Sequence, residues 1–324
     1  MKLSWHQFRR FTPYLLGIAL CAVSQSALAA TYWQIQQPDV AVIVEGDKDR
    51  AKNFASMAFR LRSAARWLLN WPISYREPPV LVFSVNERLL RRTFTFPPTP
   101  IGANTDANTG HGSWVRTPSL TVVAVPTSYQ GGYELRPLQL MYADALLDGA
   151  PSHDWPACAH IGMPMLFAAA EITAPNHFHL SAEKMFLFGH TWNPDQFLIP
   201  PNGPREPLPQ YSHDEWGYSC YILSYMIASA TPEQRNGLER MLAAVGRGMP
   251  LGAATLSELQ QTLPEFTSRY REFSRSLKSS IVQHDIWVDF PEAVPAISEP
   301  TPITPQELQE LLKRLCSKIN NCRK

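Results

Sequence analysis

The sequence predicts an α+β protein: a mixed N-terminal sheet with a packed helix, followed by a mainly helical C-terminal half. Three observations carry that expectation. Two apolar runs rich in β-branched residues, Val40–Val44 and Val80–Val85, read as buried strands. Between them, Ala51, Phe54, Ala58, Leu61, Ala65 and Leu68 recur at helical spacing. Beyond Pro137 the character changes, and helical patterns dominate as far as Leu277.

The N-terminus has the layout of a bacterial signal peptide. Lys2, Arg9 and Arg10 precede a run without charge from Tyr14 to Val23, and small residues follow from Ser24 to Ala30. Ala27 and Ala29 provide the small residues expected before a cut between Ala29 and Ala30. The apolar run is shorter than the roughly 20 residues a membrane-spanning helix needs. Leu20 is too bulky for lipoprotein processing at Cys21. Residues 1–29 are therefore expected to be removed, leaving a periplasmic or secreted protein with no transmembrane segment.

The 29 basic and 28 acidic residues nearly cancel, which argues against a nucleic-acid partner. Cys158, Cys220, Cys316 and Cys322 remain after cleavage, an even number in a compartment that permits disulfides. A Cys316–Cys322 bridge would close a short loop and is preferred over Cys158–Cys220, for which buried free thiols are the alternative. No CxxC spacing occurs, so neither a zinc knuckle nor a thioredoxin-like site is indicated.

Taken in order, Trp33 to Val44 reads as a strand that Glu45-Gly46-Asp47 ends, and Lys48 to Leu69 as an amphipathic helix. With Val80–Val85 these make a β-α-β unit. Residues 97–112, rich in Pro, Gly, Asn and Thr, read as a loop, and Trp114-Val115 with Leu120–Val125 as a hairpin around Thr117-Pro118-Ser119. Helices are expected over Leu138–Leu147, Ala157–Ile172, Tyr218–Ala230, Pro232–Val245 and Leu263–Leu277. Thr173 to Trp216 reads as a long irregular connection, of the kind that often carries function.

Residues 286–304 contain four prolines, with Pro305 immediately after, and read as a stiff connector. Thr304, Pro305 and Glu307 then satisfy the start signals of a last helix, Gln306–Ile319, with Leu308, Leu311, Leu312 and Leu315 on one face. That helix is expected to dock on the domain or on a partner. The expected division is thus a signal (1–29), a domain (30–285, with an α/β part 32–137 and a helical part 138–285), a linker (286–304) and a helix (305–324).

The order of sheet, helix and helical half is that of zincin metallopeptidases. The segment Leu138-Gln139-Leu140-Met141-Tyr142-Ala143-Asp144-Ala145-Leu146-Leu147 resembles the metal-binding helix of the peptidase MA-like gluzincins, L-x-H-E-Y-A-H-x-L-L. Leu140 and Asp144 stand where that pattern has its zinc-binding His, and Met141 where it has the Glu that activates water. Cys158 to Phe167 is similar to the helix that bears the third ligand, with Ile161 at the ligand position beside a retained Gly162. Gly217–Met226 and Leu242–Phe273 are similar to later helices of the family. The resemblance covers most of residues 32 to 280. It implies a zincin-like fold, no metal, no other cofactor and no catalysis. The physical alternative is that Leu140, Met141 and Ile161 are ordinary core residues of two packed helices.

A relocated metal site is the main rival, with His177, His179 and His190 as candidates and Glu183 and His160 nearby in sequence. His177 and His179 would face the same way if the chain there were extended. Gly217-Tyr218-Ser219-Cys220-Tyr221 is only a distant match to a nucleophile elbow. Cys158 or Cys220 with His160 would need a thiolate-stabilising environment. Asp214 and Glu215 beside His213 suit a helix start better than acid–base work.

Three functions follow as expectations. The first is an inactive peptidase-like binding or scaffolding module of the bacterial cell envelope, whose partner is an envelope protein or peptide. The second is an active hydrolase with a site moved into the 173–216 loop. The third is a structural component assembled through its last helix.

Overall fold

The computed structural model describes residues 31–69, 71, 78–86, 88–89, 113–127, 135–148, 154–171, 177–180, 193–198, 213–279, 286–289 and 295–319. The fold is α+β and mostly helical, built on a mixed six-stranded sheet.

The stretch read as one strand is a hairpin. β1 (Tyr32–Gln36) and β2 (Val40–Glu45) are antiparallel, with Gln36 opposite Ala41. Pro38 and Asp39 form the turn, closed by Gln37 N–H donating to the Val40 carbonyl at 3.0 Å. After β2, Gly46 adopts φ 104°, a conformation that favours glycine. Asp47 then caps α1 (Lys48–Leu68) by accepting from Asp49 N–H at 2.9 Å.

β3 (Val80–Val85) lies parallel to β2, completing the expected β-α-β unit. β4 (Ser113–Thr117) and β5 (Leu120–Pro126) form the expected hairpin, with β5 parallel to β3 and β4 at the sheet edge. The strand order is β4-β5-β3-β2-β1, with Thr301–Ile303 (β8) beyond β1.

The helical half comprises α2 (Arg136–Asp148), α3 (Ala157–Ala169), α4 (Pro194–Phe197), α5 (His213–Ser229), α6 (Pro232–Gly246), α7 (Leu251–Leu259) and α8 (Leu263–Ser279). Thr231 and Gln234 form a capping box that starts α6. The connection from 173 to 216 is less irregular than expected. It holds β6 (His177–Leu180) and α4, and α5 already begins at His213.

The proline-rich segment is not a free connector. β7 (Ile286–Asp289) pairs with β6 in a second sheet, and β8 (Thr301–Ile303) pairs with β1. Pro302 tolerates β8 because that strand is the sheet's other edge. α9 (Pro305–Ile319) starts with the predicted box: Glu307 N–H donates to Thr304 Oγ1 at 3.2 Å, and Thr304 N–H to Glu307 Oε2 at 2.7 Å.

Alternation along the strands divides the core between the two sheet faces. Val40, Val42, Val44, Val80, Val82, Val123 and Val125 join helices α1 to α8 in one cluster. Ile43, Leu81, Phe83, Val85, Val122 and Ala124 meet Leu308, Leu312 and Leu315 of α9 on the opposite face. A sheet buried on both sides explains why Val80–Val85 is apolar without alternation. Of the two docking surfaces expected for the last helix, it uses its own sheet.

Candidate functional site

The four positions singled out by the peptidase resemblance lie on α2 and α3, which pack against each other. Met141 and Ile161 are buried in the large core cluster, and Leu140 is half-buried against it. Asp144 is only 2% exposed. Trp114 Nε1–H donates to its Oδ2 at 2.7 Å, from strand β4. Two residues along the same strand, and so on the same side, Arg116 donates to the Ala145 carbonyl at 2.8 Å. These two bonds fasten the sheet's edge strand to the end of α2.

The helix pair is fixed from its other side as well. Gln139 Nε2 on α2 donates to the carbonyl of Ala170, just past α3, at 3.2 Å. α3 and α5 are joined by the disulfide Cys158–Cys220. Gly162 marks their closest approach, since a Cβ there would stand 2.2 Å from the Cys220 carbonyl oxygen. Of the two bridges weighed from sequence, the less favoured one therefore forms. Cys316 is also disulfide-bonded, while Cys322 lies outside the described residues.

This arrangement does not suit zinc. Leucine and isoleucine provide no ligand atom, methionine sulfur is a weak soft donor, and the one carboxylate is engaged by an indole. Among the described residues, no three His, Cys, Asp or Glu side chains surround a common point.

The other candidates fall in different places. Cys158 and Cys220 are consumed by their disulfide, so neither can act as a thiolate with His160, which is buried on α3. Ser219 is fully buried inside α5, not on a strand-to-helix turn, and its carbonyl accepts from the Tyr270 hydroxyl at 3.0 Å. Burial raises the pKa of Tyr270 and of Tyr221, which holds both as neutral phenols. His213 begins α5.

His177 and His179 do lie on an extended strand, which places them on one face of β6. Glu171, which sequence reasoning missed, bridges to His179 in antiparallel fashion. Its Oε2 stands 3.9 Å from His179 Nδ1. No spacing rule in the sequence announces this pairing of residues 171 and 179. His190 and Glu183 lie outside the described residues.

A polar feature far from both places also escaped the sequence. Arg235 on α6 donates to the carbonyls of Leu68, Ala228 and Ala230, at the ends of α1 and α5, and lies over the Trp67 ring. One turn on, burial pushes the Glu239 carboxyl up to about 8, against the opposing pull of Arg235.

Among the described residues, no helix is long and apolar enough to cross a membrane. Neither a family model nor a curated protein matches the chain.

Proposed function

We propose that this chain is an exported, catalytically idle relative of the gluzincin peptidases that serves as a binding or scaffolding module of the bacterial cell envelope. The observation that carries the reading is the bond from Trp114 to Asp144. On the resemblance, Asp144 replaces a zinc-binding His, and here its carboxylate is committed to holding β4 against α2. The neighbouring frame positions, Met141 and Ile161, contribute to the core instead of to metal binding. The order of elements, with a β-α-β unit and a hairpin ahead of two packed helices, also agrees with the reading. Export accounts for the charge pattern of residues 1–29 and suits a protein that carries a disulfide.

Two measurements test it. Peptide hydrolysis by the purified protein, supplied with zinc, is expected to be undetectable. Activity abolished by a chelator would overturn the idle reading. Fractionation of expressing bacteria, with N-terminal sequencing, is expected to find the chain outside the cytoplasm and beginning at Ala30. A cytoplasmic protein that begins at Met1 would overturn the envelope assignment.

A further inference from the structure

We propose that Arg235 and Glu239 form a pH-sensitive latch at the junction of α1, α5 and α6: Arg235 holds the helix ends while Glu239 is protonated, and releases them when Glu239 ionises and takes the guanidinium for itself. The device is separate from the α2–α3 pair and does not depend on the peptidase reading.

The last carbonyls of a helix lack partners within it, and Arg235 supplies three of them. Its Nη1 donates to Leu68 O at 3.4 Å, and its Nη2 to Ala228 O and Ala230 O at 3.3 Å each. The guanidinium carbon also lies 4.8 Å from the centre of the Trp67 ring. One side chain thus ties the end of α1 to the end of α5.

All three bonds are long and end on neutral oxygens, so each is weak. The fourth donor of the group, Nε–H, is buried without a partner. Glu239 stands one turn further along α6, where side chains four apart are neighbours, and its Oε1 is likewise buried without a partner. An orphaned donor therefore adjoins an orphaned acceptor. The neutral carboxyl competes poorly for the cation. Once its proton is lost to water, the carboxylate offers a charge-assisted bond roughly twice as strong as a neutral one.

No other charge rivals Arg235 for this carboxyl. On the elements around α6, Arg66 ends α1, the last turn of α5 carries no charged residue, and Glu258 of α7 is held by Arg240 at 3.0 Å. Burial favours the protonated form and Arg235 alone opposes it. The latch is therefore closed in acid, and it opens as the pH rises towards the folded value of about 8.

Trp67 reports the change. Its emission, taken as the difference between the unaltered protein and Trp67→Phe, is expected to show one transition between pH 5 and 9.5, with its midpoint at or below about 8. Glu239→Gln, which keeps the shape and cannot ionise, is expected to abolish it. If Trp67→Phe fails to fold, trypsin cleavage after Arg66 at pH 9 gives a second reading. The unaltered chain is expected to be cut faster than Glu239→Gln, about tenfold for each pH unit by which release lowers the pKa of Glu239. A Trp67 signal that does not change with pH, a transition that survives in Glu239→Gln, or equal cleavage rates at pH 9 overturns the proposal.

Discussion

Trp114 and Asp144 are 30 residues apart in sequence, yet the indole N–H of one donates to the carboxylate of the other at 2.7 Å inside the fold. Removing the donor leaves a buried carboxylate short of a partner. Trp114→Phe is therefore expected to cost about 1–3 kcal/mol. A double-mutant cycle with Asp144→Ala, read by urea unfolding, should show coupling of similar size. Additive effects would mean that Trp114 acts only by packing.

Two glycines on facing helices give opposite expectations. At Gly162 a Cβ would stand 2.2 Å from a backbone oxygen of α5, which cannot move aside without separating the helices. Gly162→Ala should destabilise by about 1–3 kcal/mol or more. At Gly217, inside α5, the nearest atom to a new Cβ is Met165 Sδ at 3.9 Å. Gly217→Ala should be neutral or stabilise by up to about 1 kcal/mol. Thermal melts of the two variants separate the cases.

The Cys158–Cys220 bridge closes a loop with a sequence separation of 62. Cross-linking at that separation removes chain entropy from the unfolded state worth about 4 kcal/mol. Cys158→Ala/Cys220→Ala should lower the free energy of unfolding by up to that amount. Both cysteines are buried, so mild reductant is expected to leave the native bridge intact, which thiol labelling can check.

Stability should fall with pH through Glu239. Its folded pKa of about 8 exceeds the ordinary 4.5, so the folded chain holds the proton more tightly. The resulting stabilisation is complete below about pH 4.5 and is lost as the pH rises towards 8. Oε1 is buried without a hydrogen-bond partner, in agreement with a cost for the charged form. Glu239→Gln cannot ionise and should stabilise by about 1 kcal/mol or more at pH 8, with little effect near pH 4. Urea midpoints at both pH values test this. A loss of stability at pH 8 would show that attraction to Arg235 outweighs burial.

Local physics made much of the fold legible. The β-α-β unit, the β4–β5 hairpin and the start of α9 follow from periodicity, turn residues and capping, which act within a few residues. The Pro38–Asp39 reversal was missed because the alternation of Trp33 to Gln36 and the apolar run from Val40 lie only three residues apart and read as one strand. β7 and β8 were missed because short strands take their stability from distant partners, and prolines disguised one of them. The α2–α3 frame was readable as two apolar helices. The grip of Trp114 on Asp144 was not, since it joins a strand to a helix across the fold. The opposition of His179 and Glu171 was hidden for the same reason.

The union of β1 with β8 sets a schedule for folding. Thr301 Oγ1 donates to the carbonyl of Gln34 across a separation of 267 residues, so nearly the whole chain must exist before the sheet is finished. Whether from a ribosome or through a membrane pore, the N-terminal end emerges first. Until the last segment arrives, β1 presents an unmated edge, and Leu81, Phe83 and Val122 lack their cover. The newborn protein thus passes through an adhesive interval, and a chain stalled or clipped before residue 301 would never leave it.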